Sequence, residues 1–409
     1  MIRVLIADDS AFMRKVLVDL FQKQPDFEVV GTAVNGKEVI SRVKELKPDL
    51  LTLDVNMPVM DGLNALAVLM EENPLPVVMI SSLTQRGTAA TIRSLELGAI
   101  DFVSKSGGAI SKIDAIAPEI LEKCRIAAKV NVKKLDSAIK KGKVSEIPGV
   151  RTAATPTMRR IEFPKRPGAG PAPAHPLAAP KPGSVYGRTR ENPLLKPRAK
   201  PVLPGMDRAK HTSTGSSGAQ GKRLVAIGTS TGGPQALQKV ITRLPGNLPC
   251  GVVVVQHMPA GFTKSLAERL DTISEISVKE AEHDEIIRPG HVYIAPGNYH
   301  MRVTTDGANR KIALSQEPPV GNHRPAVNVL FDSVAPLQKD LVSVIMTGMG
   351  CDGCEGMKKI KQQGGYSIAQ DEETSVVYGM PKAVVDAGLA DEVRPLQEIA
   401  DAIVAAVKR

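Results

Sequence analysis

The sequence predicts an α/β protein: an N-terminal doubly wound domain and a C-terminal doubly wound parallel domain, joined by a long tether. Three observations predict this. Short apolar runs alternate with helix-spaced stretches in both halves of the 409 residues. Polar and charged residues fall directly after those runs, where parallel sheets place their sites. Between the halves lies a proline-rich basic stretch without apolar periodicity.

In the first half, Val4-Leu5-Ile6-Ala7, Leu50-Leu51-Thr52-Leu53 and Val77-Val78-Met79-Ile80 are near-continuously apolar, as strands covered on both faces must be. The segments Ala11–Gln24 and Gly36–Leu46 between them carry helical spacing. Asp8 and Asp9 follow the first run, Asp54 ends the third strand, Ser81-Ser82 end the fourth, and Lys105 follows Ile100-Asp101-Phe102-Val103. Any one Asp reads as a helix cap or a solvated loop residue. All of them at strand ends read as a site, because converging carboxylates repel unless a divalent cation such as Mg²⁺ lies among them. A carboxylate beside that ion, with a hydroxyl and an ammonium nearby, can accept a phosphoryl group.

Residues 1–124 resemble the receiver domain of two-component response regulators through Asp8-Asp9, Asp54 with Asn56-Met57-Pro58 and Asp61-Gly62, Ser81 and Lys105. The resemblance implies phosphorylation of Asp54 by a histidine kinase. It implies Mg²⁺ held by Asp9, Asp54 and the Asn56 carbonyl, with Asp8 behind them, and Ser81 and Lys105 contacting the phosphoryl group. One departure is Ser106, which follows the lysine where receivers usually carry proline.

Residues 125–222 read as the tether. Thirteen of the 31 prolines lie between Pro148 and Pro204, and the tract ends in Ser213-Thr214-Gly215-Ser216-Ser217-Gly218. Residues 131–222 hold 19 Lys and Arg against 5 Asp and Glu, so the net charge of +10 arises here and the remainder sits at −4. The basicity therefore belongs to a solvated spacer, and no nucleic-acid partner is expected. Trp is absent and aromatics are few, which leaves no stacking platform for single strands. No apolar run approaches the roughly 20 residues of a membrane span, and no secretory signal or membrane insertion is expected. Four cysteines, Cys124, Cys250, Cys351 and Cys354, suit a reducing cytoplasm better than a disulfide framework. Cys351 and Cys354 have no second ligand pair nearby, so zinc is not expected.

In the second half, residues 223–409, the apolar runs are Leu224–Ile227, Val252–Val255, Val292–Ala295 and Leu341–Met346. The first leads into Gly228-Thr229-Ser230-Thr231-Gly232-Gly233, the second into Gln256-His257, and the last into Thr347-Gly348-Met349-Gly350-Cys351-Asp352-Gly353. A hydroxyl, an imidazole and a carboxylate then share one sheet edge, the parts needed for acyl transfer. The glycine turn alone serves equally as a phosphate cradle or a nucleophile turn. The order Ser, His, Asp excludes the α/β-hydrolase arrangement of Ser, acid, His. His257 competes with His283, His291, His300 and His323, and only its strand-end position distinguishes it.

These segments, with Met258-Pro259, Tyr293-Ile294-Ala295-Pro296-Gly297, His323-Arg324-Pro325 and Gly379-Met380-Pro381, resemble the catalytic domain of the CheB family of chemotaxis protein-glutamate methylesterases and glutamine deamidases. The resemblance implies a triad of Ser230, His257 and Asp352, with Thr231 and the Met349 N–H in the oxyanion region and no cofactor for the esterase. It implies methyl-accepting chemotaxis receptors as substrates and control by the receiver. The alternative output is a non-enzymatic α/β domain binding a nucleotide or a protein.

Overall fold

Alternation within each buried strand sets the layers. Leu224 and Ala226 face one side of the C-terminal sheet and Val225 and Ile227 the other, so both faces demand helices. The computed structural model describes residues 1–82, 85–105, 110–132, 223–307 and 309–409; the side chains of residues 82, 85–86 and 110–115 are outside that description.

The N-terminal domain comprises β1 (Ile2–Ala7), α1 (Ala11–Gln22), β2 (Phe27–Ala33), α2 (Gly36–Leu46), β3 (Leu50–Asp54), α3 (Gly62–Glu72), β4 (Val77–Ser82), α4 (Gln85–Glu96), β5 (Asp101–Lys105) and α5 (Ile110–Ala127). Its strands lie parallel in the order β2-β1-β3-β4-β5, so the strand order reverses at β1 and β3, where a crevice opens at the carboxyl edge. Side-chain caps start its helices: Ser10 accepts from the Met13 N–H, Asn35 from Glu38, and Asp61 from Asn64.

The expected boundary at residue 124 falls inside α5. Cys124 and Ala127 are fully buried in the N-terminal core, and Val130 and Val132 pack against it. Residues 133–222, most of the expected tether, lie outside the described residues.

The C-terminal domain comprises β6 (Leu224–Thr229), α6 (Gly233–Ile241), β7 (Gly251–Gln256), α7 (Phe262–Ile273), β8 (Ser277–Glu280), β9 (His291–Ile294), the hairpin β10 (His300–Asp306) and β11 (Asn309–Ser315), α8 (Val327–Val334), β12 (Leu341–Ile345), α9 (Cys354–Gln362), β13 (Tyr366–Gln370), α10 (Met380–Asp386), β14 (Glu392–Arg394) and α11 (Ile399–Lys408). Its parallel sheet has the order β14-β13-β12-β6-β7-β9-β8. Helices α6, α7 and α11 cover one face through Leu237, Leu266 and Ile403; α8, α9 and α10 cover the other through Phe331, Met357 and Val384. The chain leaves β6 toward β7 and later returns to its other side at β12, so the carboxyl ends of β6, β7 and β12 surround the switch point.

The two domains share an apolar contact. Ile92 and Leu95 of α4 and Phe102 of β5 continue the cluster formed by Leu266 and Leu270 of α7. The rings of Phe102 and Phe262 lie 4.5 Å apart. Polar bonds surround this patch: Arg269 binds Glu96 at 2.5 Å, Ser265 binds Thr88 at 3.1 Å, and the Gln235 amide donates to the Ala99 carbonyl at 2.9 Å. Among the described residues, no helix is long and apolar enough to cross a membrane.

Candidate active site and its receiver

The turn after β6 is built around Ser230. Its N–H donates to the Thr347 carbonyl at 3.0 Å, tying the turn to the end of β12, and its carbonyl accepts from the Gly233 N–H at 2.7 Å. Gly232 has φ +77°, and a Cβ there would meet Val376 at 2.5 Å. Gly348 is required for the same closeness: a Cβ would fall 2.8 Å from the Ser230 Cβ and 2.2 Å from the Met380 sulfur. Met349 follows on this loop, whose Gly348 carbonyl accepts from the N–H groups of Gly379 and Met380. The sequence therefore packs two glycine turns against each other and presents Ser230 between them.

Gln256, the last residue of β7, clamps the neighbouring backbone. Its Oε1 accepts from the Thr229 hydroxyl at 2.6 Å, and its Nε2 donates to the carbonyls of Ser230 at 3.0 Å and His257 at 3.1 Å. The His257 N–H donates to the Thr229 carbonyl at 3.1 Å. This fully satisfied, buried amide fixes the backbones of Ser230 and His257 relative to each other.

His257 Nε2 lies 2.8 Å from Asp352 Oδ2, with both side chains nearly buried. Asp352 also accepts from the Val327 N–H at 2.7 Å and the Asn328 N–H at 2.9 Å. Those are the first amides of α8, whose start has no side-chain cap, so Asp352 occupies the positive end of that helix. Burial opposes its charge, but the bond to His257 and the two helix N–H groups hold its carboxyl below the usual carboxylate range. The imidazole proton therefore resides on Nε2. Nδ1 is buried without a partner among the described residues, and it is the nitrogen left to accept a proton.

Of the competing histidines, three serve the scaffold. His283 accepts from the Leu314 N–H, His291 lies against the Pro289 carbonyl, and His300 bonds the Pro318 carbonyl. His323 is different: its ring stacks on His257, with centroids 3.8 Å apart and planes at 12°. In the sequence His323 belongs to the motif His323-Arg324-Pro325, with no local signal of a role beside His257. Cys351 and Cys354 are free, as are Cys124 and Cys250.

Thr231 shows what the N-terminal domain does here. Its hydroxyl donates to Asp101 Oδ2 at 2.5 Å, so a buried carboxylate from β5 sits on the residue next to Ser230. Lys123 of α5 holds the other oxygen of Asp101 at 3.2 Å, together with Glu119 at 3.0 Å and the Phe102 carbonyl at 2.7 Å. Nothing in the local sequence around Asp101 signals this contact, which spans 130 residues.

At the carboxyl edge of the N-terminal sheet, oxygens of Asp8, Asp9 and Asp54 lie within 4.8 Å of one another, with Asp8 and Asp54 buried. Lys105 Nζ is 2.8 Å from Asp8 and 2.7 Å from Asp54. Burial raises the Asp54 carboxyl above its usual range despite Lys105 and the Asn56 N–H. Burial opposes the Lys105 charge too, but Asp54 and Asp8 outweigh it and hold the ammonium firmly protonated. Gly62 must lack a side chain, since a Cβ would fall 2.0 Å from the Asp54 carbonyl. Ser81 is fully buried beside β5, its hydroxyl donating to the Gly87 carbonyl at 3.3 Å. Three hard carboxylates with one ammonium leave uncompensated negative charge, which fits a divalent cation such as Mg²⁺. Ser106 lies outside the described residues.

The model of the response regulator receiver domain matches residues 4–116, and that of the CheB methylesterase matches residues 225–403. The fold and its two edges thus define a response regulator whose output is a hydrolase. A protein-glutamate methylesterase/protein-glutamine glutaminase of Symbiobacterium thermophilum is 46% identical over 409 residues, covering 99% of this chain and 97% of its own. One from Halalkalibacterium halodurans is 43% identical, covering 100% and 99%. This chain belongs to the CheB family. The crystal structure of the Thermotoga maritima CheB methylesterase catalytic domain is 47% identical, covers 45% of this chain and 97% of its own, and has a TM-score of 0.44. The non-enzymatic output considered from the glycine turn is not favoured by these relatives.

Proposed function

We propose that the chain demethylates glutamate methyl esters, and deamidates particular glutamines, on methyl-accepting chemotaxis receptors. Ser230 is the nucleophile, His257 the general base and Asp352 its anchor. The observation that carries this reading is the ladder from the first N–H groups of α8 through Asp352 to His257 Nε2, which leaves Nδ1 to serve Ser230. Ser230 Oγ bonds to the ester carbonyl carbon as its proton moves to His257 Nδ1. The resulting oxyanion lies toward Thr231 and the Met349 N–H. Collapse breaks the C–O bond, and His257 returns the proton to give methanol; for glutamine the C–N bond breaks and ammonia leaves. Water, deprotonated by the same Nδ1, then cleaves the acyl-serine to glutamate.

The receiver, which we extend from residue 1 through α5 to about Val132, governs access, with a tether to residue 222 before the catalytic domain begins at 223. Asp101 and Phe102 of the docked receiver cover Thr231 and Phe262, so docking and catalysis compete for one surface. A histidine kinase phosphorylates Asp54, with Ser81 and Lys105 contacting the added phosphoryl group. Asp9, Asp54 and the Asn56 carbonyl would hold Mg²⁺, with Asp8 behind them, and the ion would neutralise phosphoryl oxygens. Phosphorylation need only shift the docking equilibrium by a few kcal/mol to raise activity many-fold. The reducing cytoplasm is the compartment that its free cysteines suit.

Methanol release from methylated receptor membranes tests the reading. Wild type releases methanol and Ser230→Ala releases none. Silence from wild type, or full release from the variant, refutes it.

A further inference from the structure

A single hydrogen bond from Nε2 to Asp352 does not fix a histidine ring. The terminal torsion of histidine is broad, so the ring can swing about it and carry Nδ1 away from a neighbouring hydroxyl. Here a second restraint is present. The ring of His323 lies flat on that of His257, at 3.8 Å and 12°.

His323 is itself firmly placed. Its N–H and carbonyl exchange bonds with Val320, at 3.0 Å each, around a turn in which Gly321 and Asn322 both have positive φ. The next residue, Arg324, binds the Asn298 side chain and the carbonyls of Gln316 and Glu317. Four residues after His323, the chain enters α8, whose first N–H groups hold Asp352. One segment therefore grips the imidazole by its face and the carboxylate by its oxygens.

The charge state of His323 suits this arrangement. Burial, then the neighbouring His257, push it down to about 4, and the other charged groups facing it are Asp352 and Lys123 of α5. At neutral pH it presents an uncharged aromatic face. Such a face attracts a cation, so it tolerates the imidazolium formed when His257 takes the serine proton.

We propose that His323 is a positioning residue for the reaction, its stacked ring holding His257 in the plane where Nδ1 meets the Ser230 hydroxyl. This rests on the assignment of Ser230 and His257 above.

The test uses the full-length phosphorylated protein with His323→Ala and His323→Phe, the latter keeping a flat ring without a titrating group. Methanol release gives kcat and KM, and histidine-labelled NMR reads the ring-current shift of the His257 ring protons. In His323→Ala, kcat falls by about 10–100-fold with KM within twofold, as expected when a reacting group is misplaced, and the ring-current shift is lost. In His323→Phe both are retained. The proposal is overturned if His323→Ala loses the shift but keeps kcat, or if His323→Phe, folded by its melting profile, falls as far as His323→Ala. Failure of the underlying assignment looks different: Ser230→Ala would remain active, while the ring-current shift of wild type would stand.

Discussion

Removing the carboxylate of Asp101 unlocks the catalytic domain without touching its chemistry. In the docked form Asp101 Oδ2 accepts from the Thr231 hydroxyl at 2.5 Å, with both residues buried. A hydrogen bond to a charged group contributes roughly 1.5–3 kcal/mol. At about 1.4 kcal/mol per decade, Asp101→Ala shifts the docking equilibrium by some 10–150-fold toward the open form. Lys123 keeps Glu119 and the Phe102 carbonyl, so no ammonium is stranded in the interface. Asp101→Asn retains a neutral bond of about 0.5–1.5 kcal/mol and shifts the equilibrium less. The assay is methanol release from methylated receptor membranes with unphosphorylated protein, with phosphorylated protein as reference. We expect a basal rate at least several-fold above wild type for Asp101→Ala, an intermediate rate for Asp101→Asn, and equal rates for all once phosphorylated. An unchanged basal rate in Asp101→Ala with an intact phosphorylated rate refutes the reasoning.

Other outcomes follow from the same geometry. Asp352→Asn cannot accept from Val327, Asn328 and His257 together, since one amide orientation opposes a helix N–H and the other forces the His257 proton onto Nδ1; kcat falls on the order of a thousandfold in the methanol assay. Chelation of Mg²⁺, or Asp54→Asn, abolishes activation by phosphodonor while leaving the basal rate, as measured by release with and without donor. Because His323 is pushed down to about 4, the unfolded chain binds its proton first as pH falls from about 6.5, so stability declines between those values and levels below. His323→Phe removes that contribution, roughly 1–2 kcal/mol after screening by solvent, which urea midpoints at pH 7 and pH 4.5 detect.

The fold was legible because parallel strands covered on both faces carry their signal locally. Val4-Leu5-Ile6-Ala7 and Leu224–Ile227 are strands by composition alone, and both lie where expected. The positions of Asp8, Asp54, Ser230, His257 and Asp352 after such runs followed from the rule that sites gather at carboxyl edges. The Ser, His, Asp order also matched the strands, since β6 lies between β7 and β12. What stayed illegible depends on docking. Thr231 meets Asp101 and Phe262 meets Phe102 across two sheets, and no periodicity in either segment encodes the meeting. The stack of His323 on His257 is equally non-local, created by a turn whose geometry only the folded chain displays. The resemblance that places a boundary near residue 124 rests on motifs ending at Lys105, whereas the burial of Ala127 and the packing of Val130 on the N-terminal core are non-local and carry no such motif.

In the proposed function the receiver governs the reactivity of the Ser230 nucleophile. Its most direct measurement is the rate at which a serine-directed fluorophosphonate labels the intact protein, followed by mass spectrometry, with and without phosphodonor and Mg²⁺. The expected result is a single adduct on Ser230, faster when Asp54 is phosphorylated, absent in Ser230→Ala and slowed in His257→Ala. Labelling at another residue, or a Ser230 rate indifferent to phosphorylation in wild type and to Asp101→Ala, would contradict it.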